Sequence, residues 1–189
     1  MRSRLLILTL GGVATLVGGS AHGGVMLFDN RDEWAAALGN PVTTVDFVGF
    51  PGGTLITDQY SELGVLFTDS NDHVFVNSSF LNDGVGLDGN SSITVAFDTL
   101  QFGFAADFPG INRYRLFRDG ELIHMTSALG GPGKGWFVGL IFTEPFDEVA
   151  MDDPFGFEVS IDDLHFGIPT PSGLALLAVG GLVGCRRKR

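Results

Sequence analysis

Cysteine is almost missing from these 189 residues: Cys185 is the only one, and it lies near the C-terminus. No disulfide can staple residues 24–167, which must be held by their own core. Roughly 144 residues can do that, since a chain of this size buries about two-thirds of its unfolded surface. Basic residues are scarce as well. Residues 24–167 hold all 22 acids but only Arg31, Arg113, Arg115, Arg118 and Lys134, a balance of −17 against −11 for the whole chain. A surface this acidic repels phosphate backbones and anionic lipid faces, which excludes nucleic acid as a partner. Tyrosine and tryptophan number two each beside 17 phenylalanines, so the expected core is built on Phe. Catalytic signatures are lacking too. There is no G-x-S-x-G elbow and no H-E-x-x-H pair. "GGPGKG" (130–135) is followed by Trp136, with Gly135 where a phosphate loop needs Ser or Thr. His73, His124 and His165 are scattered, with no metal-ligand spacing between them.

The two ends carry what is present in concentrated form. Arg2 and Arg4, the apolar stretch Leu5–Val17 and small residues at Gly19, Ser20, Ala21 and Gly23 form a secretory signal over residues 1–23, with cleavage expected after Ala21 or Gly23. At the other end, Gly173–Cys185 is apolar, but as a helix it reaches only about 20 Å, short of the ~30 Å hydrocarbon core. Cys185 reads as part of that helix, far from any lipoprotein cysteine position. Arg186, Arg187, Lys188 and Arg189 would stay on the cytoplasmic side, so both ends place the intervening residues outside. Pro169, Thr170 and Pro171, the short helix and the basic cluster together resemble the PEP-CTERM sorting signal of bacterial surface proteins, with Thr170 where the best-known form has Glu. The resemblance covers residues 168–189. It implies an exosortase-type sorting protease as partner, transient membrane contact through the helix, and cleavage near Pro169–Ser172.

Between the ends, the pattern is one domain over 24–167. "DNRDEWAAALG" is the one convincing helix, with Asn30 as cap, Glu33 three residues on and Gly39 as stop. Strands are expected at 25–28, 42–47, 64–68, 73–76, 92–97, 100–105, 113–117, 136–142, 146–151 and 157–166, separated by turn clusters such as Asn82-Asp83-Gly84, Asp88-Gly89-Asn90 and Gly130–Gly135. Asp119-Gly120 is the clearest hairpin. The expected fold is all-β, an antiparallel jelly-roll β-sandwich with one short N-terminal helix, flanked by the signal peptide and the sorting helix. "VDFVGFPGGTLITDQYSELGVLFT", "FVGLIFTEPFDEVAMDDP" and "SIDDLHFG" resemble the exported β-sandwich domains found ahead of PEP-CTERM tails, a resemblance that implies no activity.

The strongest candidate for chemistry is "SIDDLHFG". Phe157, Val159 and Ile161 alternate inward, and the inward phase then passes to Asp162 or Leu164 and Phe166. A β-bulge at Ile161–Asp163 accounts for the slip. Asp162 and Asp163 are therefore candidate calcium ligands, with oxygens from Asp46, Asp83, Asp88, Asp152 or Asp153 as partners. Jelly-roll carbohydrate-binding modules, which the expected fold resembles, often hold calcium against the last strand. The competing reading has these aspartates capping turns or solvated. Trp136, Tyr60 and Tyr114 are candidate stacking faces for sugar, and Arg113 and Arg115 beside Tyr114, with Arg118, are candidate contacts for an acidic exopolysaccharide. The competing reading has Trp136 in the core and the arginines balancing nearby acids. Two functional classes follow: a non-catalytic surface or extracellular-matrix protein associated with exopolysaccharide, with calcium as its candidate cofactor, and a secreted glycan-active hydrolase using two of the 22 acids. A purely structural envelope protein is the third reading. The first is preferred.

Overall fold

The computed structural model describes residues 24–39, 41–68, 73–80, 84–108, 110–130 and 136–169. The signal segment, Asp83, Thr170, Pro171 and the basic cluster Arg186, Arg187, Lys188 and Arg189 lie outside the described residues.

The chain opens with β1 (Val25–Phe28) and α1 (Arg31–Leu38). The helix begins where expected because the Asn30 carboxamide accepts the Glu33 N–H at 3.0 Å. It ends at Gly39, whose φ of 80° is left-handed and whose N–H returns to the Ala35 carbonyl. Then come β2 (Thr43–Val45), β3 (Val65–Thr68), β4 (Phe75–Phe80), β5 (Gly84–Gly89), β6 (Ser92–Phe108), β7 (Ile111–Arg118), β8 (Glu121–Met125), β9 (Leu129–Gly130), β10 (Trp136–Asp152) and β11 (Val159–Gly167). All strand pairs are antiparallel.

Two strands build the sandwich. β6 and β10 run side by side for 17 residues each. Their register breaks between Ile141/Phe146 and Phe146/Glu148, where the pair turns a corner from one layer into the other. The first layer holds β1, the front of β10, the back of β6, β11 and β2. The second holds β3, the front of β6, the back of β10, β7 and β8. β4 and β5 extend the start of β11. The fold is therefore the expected antiparallel jelly-roll sandwich. The sequence reading had split β6 and β10 into two strands each, because Asp98-Thr99 and Thr143–Pro145 interrupt the apolar alternation at the corner. It had also placed turns at Asn82-Asp83-Gly84 and Asp88-Gly89-Asn90, whereas Gly84–Gly89 is a glycine-rich strand.

Alternation decides what faces what. Phe104, Val138, Leu140, Phe142, Leu164 and Phe166 point between the layers, where they meet Phe67, Val95, Tyr114, Leu116, Phe146 and Val149. The core is largely Phe, as the composition predicts. Ala105, Phe137 and Ile141 point the other way, and Trp34 and Leu38 of α1 cover them as a second small core. Glycines make the seat: a Cβ on Gly103 would lie 2.5 Å from Leu38 Cδ1, and one on Gly139 would lie 2.5 Å from Trp34 Cδ1. The Trp34 indole N–H donates to the Leu140 carbonyl at 3.1 Å.

Candidate functional site

Between the start of β11 and the β6–β7 connection lies an open cleft of about 690 Å³. Its walls carry three carboxylates (Asp88, Asp153, Glu158), three carboxamides (Asn77, Asn90, Asn112), the Ser160 hydroxyl and the Phe157 ring. Cross-strand register brings the floor together. Ser160 stands opposite Asp88 in the β11–β5 pair, and Asp88 stands opposite Phe75 in β5–β4, two residues from Asn77. Asp88 is only 6% exposed. One oxygen accepts the Ser160 hydroxyl and the other accepts the Asn77 amide at 2.6 Å. A buried carboxylate needs such donors, because leaving it bare in low dielectric is costly.

The rim comes from the β10–β11 connection. Asp153-Pro154-Phe155-Gly156 has Asp first, Pro second and Gly fourth, the signature of a type I turn. Asp153 Oδ1 accepts the Phe155 N–H at 2.6 Å, and the Gly156 N–H returns to the Asp153 carbonyl at 3.1 Å. This turn leaves Phe155 and Phe157 70% and 69% exposed, the two most exposed large apolar side chains among those described. Asn112, on β7, completes the wall. It is 3% exposed, and its carboxamide makes no hydrogen bond to another described residue. A polar group this deep ordinarily has a partner.

Phe157 was expected to point inward and does not. Val159 and Ile161 are the inward residues, each fully buried. The expected bulge is present: Asp162 pairs with Asp107 and His165 with Ala105, three steps against two, and Asp163 takes φ 43°. What the bulge presents is an ion-pair knot. Arg31 donates to Asp107 at 2.8 Å and to Asp163 at 3.1 Å, while Asp162, 1% exposed, accepts the Asp163 N–H. Beside it, His165 Nδ1 lies 2.9 Å from Thr44 Oγ1 and its ring packs between Trp34 and Phe137. Burial, with help from Arg31 and against Asp163, pushes this imidazole down to about 4.

The proposed calcium set is dispersed. Asp162 and Asp163 belong to the Arg31 knot, Asp88 lies in the cleft, and Asp46 is exposed and accepts the Val48 N–H at 3.2 Å. Asp152 is taken by arginine, and Asp153 shares the cleft with Asp88. Among the described residues no three His, Cys, Asp or Glu side chains are placed to hold a metal ion.

The proposed glycan contacts are mostly corrected. Tyr114 is fully buried against Phe104, with ring centroids 5.9 Å apart, so it offers no stacking face, and burial raises its hydroxyl far above the usual range. Tyr60 closes an edge-to-face cluster with Phe47, Phe50 and Phe67, its hydroxyl pushed up to about 12 by burial and by Asp46. Arg113 and Arg115 are both drawn to Asp152, the latter at 3.4 Å, because strand register sets Arg113 opposite Asp152. The Trp136 side chain lies outside the described residues; its backbone starts β10 opposite Phe108. Sequence reasoning missed Asn77, Asn90, Asn112, Phe157 and Glu158. The one legible signal was "DPFGFE", a strong turn carrying two phenylalanines among acids.

No family model matches this chain, and no curated protein matches it. Solved structures that resemble it include family 29 carbohydrate-binding modules. One point variant is 11% identical, covers 69% of this chain and 94% of its own, and has a TM-score of 0.38. Another, complexed with mannohexaose, is 10% identical with coverages of 67% and 92% and the same TM-score. A further family 29 module gives 11%, 67%, 89% and 0.34. Likeness of this grade transfers neither site nor ligand. Among the described residues no helix is long and apolar enough to cross a membrane.

Proposed function

We propose that this is an exported, non-catalytic protein of the cell surface or extracellular matrix whose cleft holds a polysaccharide chain. The observation that carries the binding reading is Asn112: a deeply buried carboxamide with no hydrogen-bond partner among the described residues, set in the wall of a cleft whose other groups suit sugar. Hydroxyls pair with carboxylates and carboxamides, and the face of Phe157 suits the apolar face of a pyranose. The non-catalytic reading is supported by Glu148. Burial and Asp147 raise this carboxyl, as a general acid requires, but it does not line the cleft. Export and sorting rest on the two ends of the sequence, with an exosortase-type protease acting near Pro169–Ser172.

The test is titration calorimetry against a panel of oligosaccharides, with Phe157→Ala and Asn112→Ala as variants and product analysis after long incubation. Saturable binding that either variant weakens at least tenfold, without turnover, is expected. Turnover abolished by Asp153→Asn or Glu158→Gln would instead make the cleft a hydrolase site. Intact mass of the protein from its native host checks the tail: a C-terminus near Pro169–Ser172 supports sorting, and retention of Arg189 overturns it.

A further inference from the structure

The cleft's charge narrows its ligand, on the reading that it binds glycan. Three of its ten lining residues are carboxylates and none is Lys or Arg. The nearest arginines in sequence cannot compensate. Arg113 and Arg115 are engaged by Asp152, Arg31 by Asp107 and Asp163, and Arg118 lies 3.9 Å from Asp119. Every described arginine is therefore committed to an acid of this chain. Asp88 has hydrogen bonds from Asn77 and Ser160 but no ion pair. Asp153 has only its own turn's N–H, and Glu158 is exposed on the rim.

A uronate or sulfate polymer would bring like charge to this wall and find no cation to meet it. A neutral glycan would satisfy the carboxamides and stack on Phe157, leaving the carboxylates without a counter-charge. A sugar bearing a free ammonium satisfies both. Its ring lies on Phe157, its hydroxyls reach Asn112 and the other carboxamides, and its –NH₃⁺ donates charge-assisted hydrogen bonds to the carboxylates. We propose that the cleft is selective for glycans carrying free amino groups, the class of de-N-acetylated hexosamine polymers. Asn112 and the exposed ring favour a sugar over a basic peptide, because a lysine side chain uses neither.

The test uses the purified protein at pH 6 and low salt with four hexasaccharides: β-1,4-linked glucosamine, N-acetylglucosamine, glucose and a uronate. Hexalysine is the fifth probe. The glucosamine hexamer is expected to bind at least about tenfold tighter than the neutral hexamers, the scale of one charge-assisted contact, and the uronate not at all. Added salt is expected to erode that preference. Asp153→Asn combined with Glu158→Gln is expected to bring the amine-to-neutral ratio down to about one to two. A charge-matched control, Asp32→Asn with Glu62→Gln on exposed sites away from the cleft, is expected to leave the ratio unchanged. Equal affinity for amine and neutral hexamers, binding of the uronate, or loss of the ratio in the control would overturn amine selectivity and leave glycan binding standing. Hexalysine binding as tightly as the glucosamine hexamer would show charge without sugar recognition and also overturn it. Silence towards every saccharide would remove both this inference and the binding reading.

Discussion

Gly139→Ala tests how the helix is seated on the sheet. An added methyl would lie 2.5 Å from Trp34 Cδ1, 2.7 Å from Cγ and 3.0 Å from Phe137 Cε1. Trp34 cannot swing aside cheaply. It is fully buried, and its indole N–H is held by the Leu140 carbonyl. Overpacking of this kind costs about 1–3 kcal/mol, offset by about 0.4–1 kcal/mol from the stiffer unfolded chain. The net expected loss is about 1–2 kcal/mol. Trp34→Ala alone removes a large buried side chain and should cost about 3–5 kcal/mol. In the double variant nothing remains for the methyl to strike, so Gly139→Ala should become neutral or slightly stabilising. The cycle should then show a coupling of about 1–3 kcal/mol, read from urea titrations followed by far-UV circular dichroism. Additivity within about 0.5 kcal/mol would refute the seat and detach α1 from β10.

His165 supplies a pH dependence. Its folded-state value of about 4 lies below the ordinary 6.5, so the unfolded chain takes up the proton first as pH falls. Stability should be intact above about pH 6.5 and decline towards pH 4, by an amount on the order of 3 kcal/mol, and His165→Gln should flatten that slope relative to the parent. Equal slopes in the two proteins would show that the ring is not buried neutral. Asn30→Ala removes the acceptor for the Glu33 N–H and should cost about 1 kcal/mol in the same titration, with no change in oligosaccharide affinity.

Local signals were read well where the physics is local. Asn30 and Gly39 bound the helix because a cap acceptor and a left-handed stop act within one turn. Asp119-Gly120, with φ of 52° and 77°, makes the hairpin because such a turn demands residues that tolerate positive φ. The slip at Asp162–Asp163 was visible because alternation has a period of two and any extra residue breaks it. The site was not legible in this way. Asp88 meets Ser160, 72 residues away, only because β5 pairs with β11. Phe157 looked like one more inward strand residue, yet it precedes the point where β11 begins at Val159.

From sequence alone came the secondary-structure class, the acidic surface, the Phe-rich core and the expected fate of both ends. All of these depend on composition or on neighbours a few residues apart. Tertiary structure alone decided which acids became structural and which were left facing a cleft. Asp107, Asp152 and Asp163 were matched to arginines by helix docking and strand register, whereas Asp88, Asp153 and Glu158 were gathered where no cation follows. A carboxylate's role depends on what stands within a few ångströms of it, and in an antiparallel sandwich those neighbours come from distant parts of the chain.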